Sequence, residues 1–322
     1  MKKLLSGIAV AAALVTGAAQ AQDYPDQAIT LVIPYGPGGA SDLAGRALAE
    51  SARKFIDQPI TVMNKPGAGG MTGAGHVSKS DPDGYTLLLA RVGMALTPAV
   101  NPQASVEWDA YTFLGALEAT PMILAVKGDA PYDTVEDLIA AVKDSEGAMT
   151  YAASGATSID GFTTQALLSD SDLDPLTAAT LVPYKGGGAL ATALLGGHVD
   201  FLAISAGSLM PHIESGDMKP LMVFAPSRMD KLPDVPTADE LGYEQAGQIT
   251  GWSALYAPKG LSDEVVAKWD EILAQVATDE TWLTLAERRG SISTVGEQDM
   301  PAYAKQQYEL FNGLAKKFGY IE

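Results

Sequence analysis

Four segments nearly bare of side chains are the places where this chain could do chemistry, and the chemistry they suit is anion capture. The first is Tyr35-Gly36-Pro37-Gly38-Gly39-Ala40, followed by Ser41-Asp42. The apolar, β-branched run Ile29–Ile33 precedes it and reads as a buried strand stopped by Pro34. Ser41-Asp42 reads as a helix start, with Leu43, Ala47, Leu48 and Phe55 at helical spacing. A strand feeding a bare loop and a helix N-terminus gathers backbone N–H groups at one point, and these attract anions together with the helix dipole. The second segment runs from Asn64 to Gly70 and the third from Ser154 to Ser158, adding hydroxyls from Ser154, Thr157 and Ser158. The fourth is Tyr184-Lys185-Gly186-Gly187-Gly188. Glycine placed at such turns for geometry alone is the plainer explanation, and the residues by themselves leave both open.

Single residues add to this pattern. Arg91 directly follows the apolar run Thr86–Ala90, at a strand's C-terminal end. There it either clamps a carboxylate with two parallel N–H donors or faces solvent. Asp42 either caps its own helix or bonds a ligand hydroxyl, with capping the better fit. Ser205-Ala206-Gly207 follows another strand and could close the far side of a cleft. Trp252 and Tyr256 suit a core better than a ligand wall.

Nucleotide and enzyme signatures are missing from these segments. No loop places Lys and Ser/Thr directly after its last glycine, and Gly67-Ala68-Gly69-Gly70-Met71-Thr72 breaks the dinucleotide pattern. No G-x-S-x-G elbow occurs. His76, His198 and His212 lie far apart and lack metal-ligand spacing. Acidic groups such as Asp239-Glu240, or Asp133 with Glu136-Asp137, suit helix starts and solvated faces. No metal and no cofactor is expected.

The elements that must position these loops alternate. Strands are expected at Ile29–Ile33, Ile60–Met63, Thr86–Ala90, Met122–Val126, Met149–Ala153, Thr180–Val182, Phe201–Ile204, Leu221–Phe224 and Trp252–Tyr256. Helices are expected at Asp42–Phe55, Met71–Lys79, Val135–Lys143, Ile159–Leu168, Ala189–Leu195, Met210–Glu214, Ser262–Val276 and Pro301–Phe318. This alternation predicts an α/β fold with parallel sheets covered by helices. No single linker divides the chain, so two lobes joined by several crossings are expected, with crossings near Phe113–Met122 and Pro226–Trp252. The expected division is 22–118 plus 229–322 for one lobe and 119–228 for the other. Ligands bind such clefts at the C-terminal ends of strands.

Composition bounds the setting. Met1-Lys2-Lys3, an apolar stretch Leu4–Ala19 and Ala19-Gln20-Ala21 read as an export leader, residues 1–21, with the mature chain starting at Gln22. The chain has no cysteine, which excludes thiolate catalysis and disulfide staples. The formal charge is −18, and loss of Lys2 and Lys3 with the leader makes it −20. Such a chain is a poor partner for nucleic acid or anionic membrane surfaces.

Motifs spread along the chain resemble one family. They are Tyr24-Pro25, Gly36-Pro37-Gly38-Gly39 with Asp42 and Arg46, Asn64-Lys65-Pro66-Gly67-Ala68-Gly69-Gly70 with Gly73-Ala74, and Pro82-Asp83-Gly84-Tyr85-Thr86-Leu87. Val182-Pro183-Tyr184-Lys185-Gly186, Gly196-Gly197-His198-Val199-Asp200, Leu232-Pro233-Asp234-Val235-Pro236-Thr237 with Glu240 and Gly242, and Trp252 with Ala257-Pro258 continue the series. Together they resemble the periplasmic solute-binding receptors of tripartite tricarboxylate transporters, the Bug receptors. The resemblance implies a two-lobed periplasmic binding protein fold that closes on a small organic carboxylate and delivers it to membrane permease subunits. It implies no enzymatic activity, a periplasmic location and a monomer. Carried onto this sequence, one ligand carboxylate meets Tyr35, Gly38, Gly39, Ser41 and Asp42 on one side and Ser154, Ala156, Thr157 and Ser158 on the other. Tyr184, Gly186, Gly187 and Ser205 complete the wall. The chain departs from the family at Arg91-Val92-Gly93-Met94, where many members are small or polar. An exported hydrolase or lyase acting on an organic acid, or a sensor for a membrane kinase, is the alternative.

Overall fold

The computed structural model describes residues 24–296 and 299–322; the expected leader falls outside them. The chain opens with β1 (Ile29–Ile33), α1 (Ala40–Ala52), β2 (Ile60–Asn64), α2 (Met71–Val77), β3 (Thr86–Arg91), α3 (Gly93–Val100) and β4 (Tyr111–Thr120). Beyond Pro121 come β5 (Met122–Lys127), α4 (Val135–Asp144), β6 (Thr150–Ala153), α5 (Ile159–Asp170), β7 (Thr180–Pro183), α6 (Gly187–Leu195), β8 (Phe201–Ser205), α7 (Ala206–Glu214) and β9 (Met218–Phe224). The chain ends with α8 (Glu244–Gly247), β10 (Gly251–Pro258), α9 (Asp263–Val276), α10 (Glu280–Arg288), β11 (Ile292–Ser293) and α11 (Met300–Lys317).

Two sheets result, one in the order β11-β4-β10-β3-β1-β2 and the other β7-β6-β8-β5-β9. The α/β class matches expectation, but the sheets are mixed. Only β2-β1-β3 and β7-β6-β8 run parallel. β10 lies antiparallel between β3 and β4, and β5 antiparallel between β8 and β9. The reason is the route of the chain. It leaves the first sheet through β4, passes Pro121 and enters the second in β5; it returns after β9 and re-enters in β10. A strand arriving from the opposite layer runs against those laid down by local strand–helix–strand units.

Local sequence explains most elements. Every residue of β10 is buried, as a central strand covered on both faces requires. Thr134 and Asp137 form a reciprocal capping box on α4, and Ser158, Ser262 and Asp279 cap α5, α9 and α10. Five elements escape the sequence pattern, α8 and α10 among them. β4 carries Gly115 and Glu118 within an alanine-rich stretch, so the crossing expected from Phe113 onward is instead strand up to Thr120. α3 contains Pro98 in eight residues, and β11 is two residues long. The helix α11 ties the layers together: its Phe311 and the following Phe318 lie 5.9 and 6.2 Å from Phe162 of α5. No helix among the described residues is long and apolar enough to cross a membrane.

Candidate functional site

A cavity of about 460 Å³ opens between the two sheets, a size usual for small-molecule sites. Ala40 and Leu43, in the first turn of α1, line it from the first sheet's side, with Arg91 at the end of β3 and Gly251 at the start of β10. From the second sheet's side come Ile159 at the start of α5 and Ser205, Gly207 and Ser208 around the start of α7. Thr120 and Met122 flank the crossing, and Arg288, Arg289 and Ser291 close one end. Three helix N-termini therefore face one space, and their first N–H groups have no intrahelical acceptor.

The β1–α1 loop is held from within. Asp42, 2 % exposed, accepts from the Gly38 N–H at 2.9 Å, from Arg46 Nε and Nη2 at 3.0 Å and from Asn64 Nδ2 at 2.9 Å. Its carboxyl falls from 3.8 to about 2, chiefly through the Arg46 hydrogen bond and against the effect of burial. Asp42 thus neither caps the helix end-on nor offers a free oxygen; the residue before the helix is Gly39. Asn64, from the second glycine segment, also donates to the Tyr35 carbonyl at 3.0 Å, so that segment buttresses the first. The Tyr35 hydroxyl donates to the Gly69 carbonyl and fills the space left open by Gly70 and Gly93. Burial pushes the phenol up, with the Arg91 guanidinium opposing.

The β6–α5 loop repeats the device. Asp160, 5 % exposed, accepts from the Ser154 N–H and hydroxyl at 2.7 Å and from the Ser158 hydroxyl. The Ser158 oxygen in turn accepts from the Gly161 N–H. Both serine hydroxyls expected to meet ligand are thus engaged by Asp160, and backbone N–H groups are what the loop can present.

A charged cluster borders the cavity, two of its arginines lining it. Glu118 of β4 is fully buried. It accepts from Arg289 Nη2 at 2.8 Å, and Arg91 Nη1 lies 3.8 Å from its other oxygen. Arg91 also donates to Thr120 Oγ1, which lies 3.1 Å from Ser291 Oγ. Arg289 stacks 5.5 Å over the Trp282 ring. Glu118 Oε1 and Arg289 Nε are buried without a hydrogen-bond partner. The lobes touch beside this cluster: a Cβ at Gly207 would collide with the Arg289 carbonyl, and one at Gly290 would lie 2.7 Å from the Gly207 nitrogen.

Comparison with known proteins bears on what such a cavity is for. A family model described as the tripartite tricarboxylate transporter family receptor matches residues 44–317. The chain belongs to that family. A "UPF0065 protein" of Agrobacterium vitis is 33% identical over 314 residues, covering 96% of this chain and 88% of its own length. The solved periplasmic binding protein BugD superposes with a TM-score of 0.76 at 29% identity, covering 92% of this chain and 99% of BugD. MatC from Rhodopseudomonas palustris, solved with bound malate, gives 0.73 at 25%, covering 93% of this chain and 100% of MatC. As a member of the receptor family, the chain is a solute-binding protein and not an enzyme.

Within this family frame, the cavity brings together only part of the expected set. Arg91 and Ser205 line it directly. Gly39 and Ser41 flank Ala40, Asp42 flanks Leu43, and Ser158 flanks Ile159. Tyr184, Gly186 and Gly187 do not line it; Gly187 instead abuts Ser208, whose side chain occupies the place a Cβ would take. Trp252 and Tyr256 are buried core residues. Glu118, Thr120, Ser208, Arg289 and Ser291 were not picked out by sequence reasoning. Arg289 follows a helix in an acidic C-terminal region, and nothing local distinguishes it from a surface arginine.

Proposed function

We propose that this receptor captures a small carboxylate between its two lobes in the periplasm and delivers it to the membrane permease of a tripartite tricarboxylate transporter. The observation that carries this reading is the cavity itself, at which three helix N-termini and Arg91 converge in a chain whose formal charge is −18. Backbone dipoles and two guanidinium groups make a local anion site inside a global field that repels anions. The lobes are residues 22–118 with 229–322, and 119–228; the β4–β5 and β9–β10 connections serve as the hinge. Tyr35, Gly38, Gly39, Ser41 and Asp42 shape one half of the carboxylate site, and Ser154, Ala156, Thr157 and Ser158 shape the other. Backbone N–H groups make the contacts, while Asp42 and Asp160 hold the loops. Ser205 lines the wall, and the Tyr184–Gly187 loop backs it through Gly187, which abuts Ser208. The receptor acts as a monomer.

Thermal unfolding with a panel of di-, tri- and aromatic carboxylates tests the reading. A ligand at a hundred times its Kd stabilises by about 2.7 kcal/mol, which raises Tm by several degrees in a protein of this size. No shift with any acid in the panel overturns it.

A further inference from the structure

We infer that a second cavity, on the far side of the lobe crossings from the first, is a binding site for a small organic cation that carries an ammonium group. The inference goes beyond the receptor reading and shares no binding residue with it.

The cavity measures about 510 Å³, again within the range of small-molecule sites. Its place follows from strand alternation, which turns successive side chains to opposite faces. Thr120, Met122, Gly251 and Ser291 line the first cavity. Their immediate chain neighbours Ala119, Pro121, Thr250 and Ile292 line the second. The two spaces therefore lie back to back across the β4–β5 crossing and the start of β10. Ala225 and Pro226, just past β9, and Tyr303 and Gln307 of α11 also line the rear one. An occupant there touches both connections between the lobes. Closure that narrows one face of a hinge widens the other, so such an occupant bears on how far the front cavity closes.

Charge distinguishes the two cavities. The front one is lined by Arg91, Arg288 and Arg289. The described residues lining the rear one include a carboxylate, Asp239, and no lysine or arginine. Its polar groups are left to accept. Gln307 is 2% exposed, and its Nε2 donates to the Gln248 carbonyl at 3.3 Å, which fixes the amide's orientation. Its Oε1 is buried with no partner. A buried acceptor left unmade is costly, and a ligand N–H supplies what the fold omits. Thr250 is also buried; its hydroxyl donates to the Phe224 carbonyl at 3.2 Å and keeps only lone pairs. A Cβ at Gly247 would lie 2.3 Å from Asp239 Oδ1, so glycine there makes room for the carboxylate at the wall. An ammonium has three donors and no acceptor, which suits a carboxylate, an amide oxygen and a hydroxyl oxygen. The Tyr303 ring, with Trp252 at 5.7 Å, adds an aromatic wall that attracts cations. The formal charge of −18 draws cations toward the molecule.

Isothermal titration of butylammonium, benzylammonium and putrescine tests the site, with butanol, and sodium chloride at equal ionic strength, as controls. Wild type is expected to bind at least one of these amines at a single site, about 10-fold or more tightly than butanol, as a charge-assisted contact allows. Asp239→Asn should weaken that amine about 10-fold or more. Gln307→Met, close in size and with no oxygen to leave unpaired, should also weaken it while leaving the ligand-free Tm unchanged or raised. Asp144→Asn removes the same charge from an exposed position at the end of α4 and should leave affinity within about twofold. Binding of none of the amines overturns the inference. So does equal weakening by Asp144→Asn and Asp239→Asn, which would mean that the acidic surface gathers cations without a site. A Gln307→Met variant that has a lower Tm but binds amines as wild type does would make Gln307 a packing residue, and that result overturns it too. None of these outcomes bears on the carboxylate site, because the two cavities share no lining residue.

Discussion

In two loops beside the cavity, Asp42 and Asp160 reach back to loop residues four to six positions away. In the charged cluster, Glu118 holds Arg289, 171 residues further along the chain. The first set is assembled mostly locally: apart from Asn64, 22 residues from Asp42, each carboxylate there is satisfied by donors within six residues. The second is assembled only when β4, β3 and the end of α10 meet, and it keeps buried polar atoms without partners. The contrast separates two tasks. A pinned loop keeps its amides in one arrangement, whereas an imperfectly balanced charge cluster leaves guanidinium groups at the cavity wall.

The sharpest way to break that contrast is at Glu118. Glu118→Ala leaves two guanidinium groups beside one another with no counter-charge, so stability should fall by about 3–5 kcal/mol. Urea unfolding followed by circular dichroism measures this. A loss below about 1 kcal/mol would mean that solvent already neutralises the cluster, and that the charged cluster is less distinct from the loops than its burial suggests.

In the loops, the next largest effect is steric. A Cβ at Gly161 would collide with the Gly155 carbonyl and lie 2.7 Å from that of Ala156. Gly161→Ala should cost about 1–3 kcal/mol and weaken mono- and dicarboxylates by equal factors, because it displaces amides common to both. Unequal loss in titrations would place ligand discrimination in the loop.

Asp42→Asn follows, at about 1–3 kcal/mol near neutral pH from its charged hydrogen bonds, toward the lower figure because Arg46 is half exposed. The pH dependence has a definite sign. The folded carboxyl sits at about 2 against an ordinary 3.8, so its stabilisation is complete above the unfolded value and is lost as pH falls from about 4 to about 2. The Tm difference between wild type and Asp42→Asn should therefore shrink over that window. A difference that stays constant to pH 2 would show that shape, and not charge, holds the loop.

The same contrast explains what the sequence disclosed. The strand–glycine–helix units around Tyr35–Asp42 and Ser154–Asp160 are contiguous, so their apolar runs and glycines were legible, as was the α/β class; the caps were not, since Gly39 precedes α1 and Ser158 caps α5. Arg91 was visible because it ends a clear strand. Glu118 was not, because an acidic residue in a strand-forming stretch looks like a break in the strand. Arg289 acquires meaning only from a partner far away in the chain. The antiparallel placement of β10 was hidden for the same reason, since sheet order depends on where the chain returns, which no local pattern records. Asp42 was seen as a helix-start residue and Asp160 was not singled out at all, because their bonding to loop amides depends on turn geometry that the residue types alone do not specify.

The smallest expected effect on the fold is at Leu43, in the cavity wall. Its side chain is 47% exposed within the cavity wall, so it contributes little to the core, and Leu43→Ser should change stability by no more than about 0.5 kcal/mol. The same change removes apolar surface that a bound methylene chain or ring would cover. Each methylene that loses its cover is worth up to about 0.8 kcal/mol, so affinity for the longer dicarboxylates should fall severalfold while succinate is nearly unaffected. Titration of the dicarboxylate series on Leu43→Ser measures this as a change in slope with chain length. An equal loss for every length would place Leu43 beside a bound carboxylate and not along the body of the ligand.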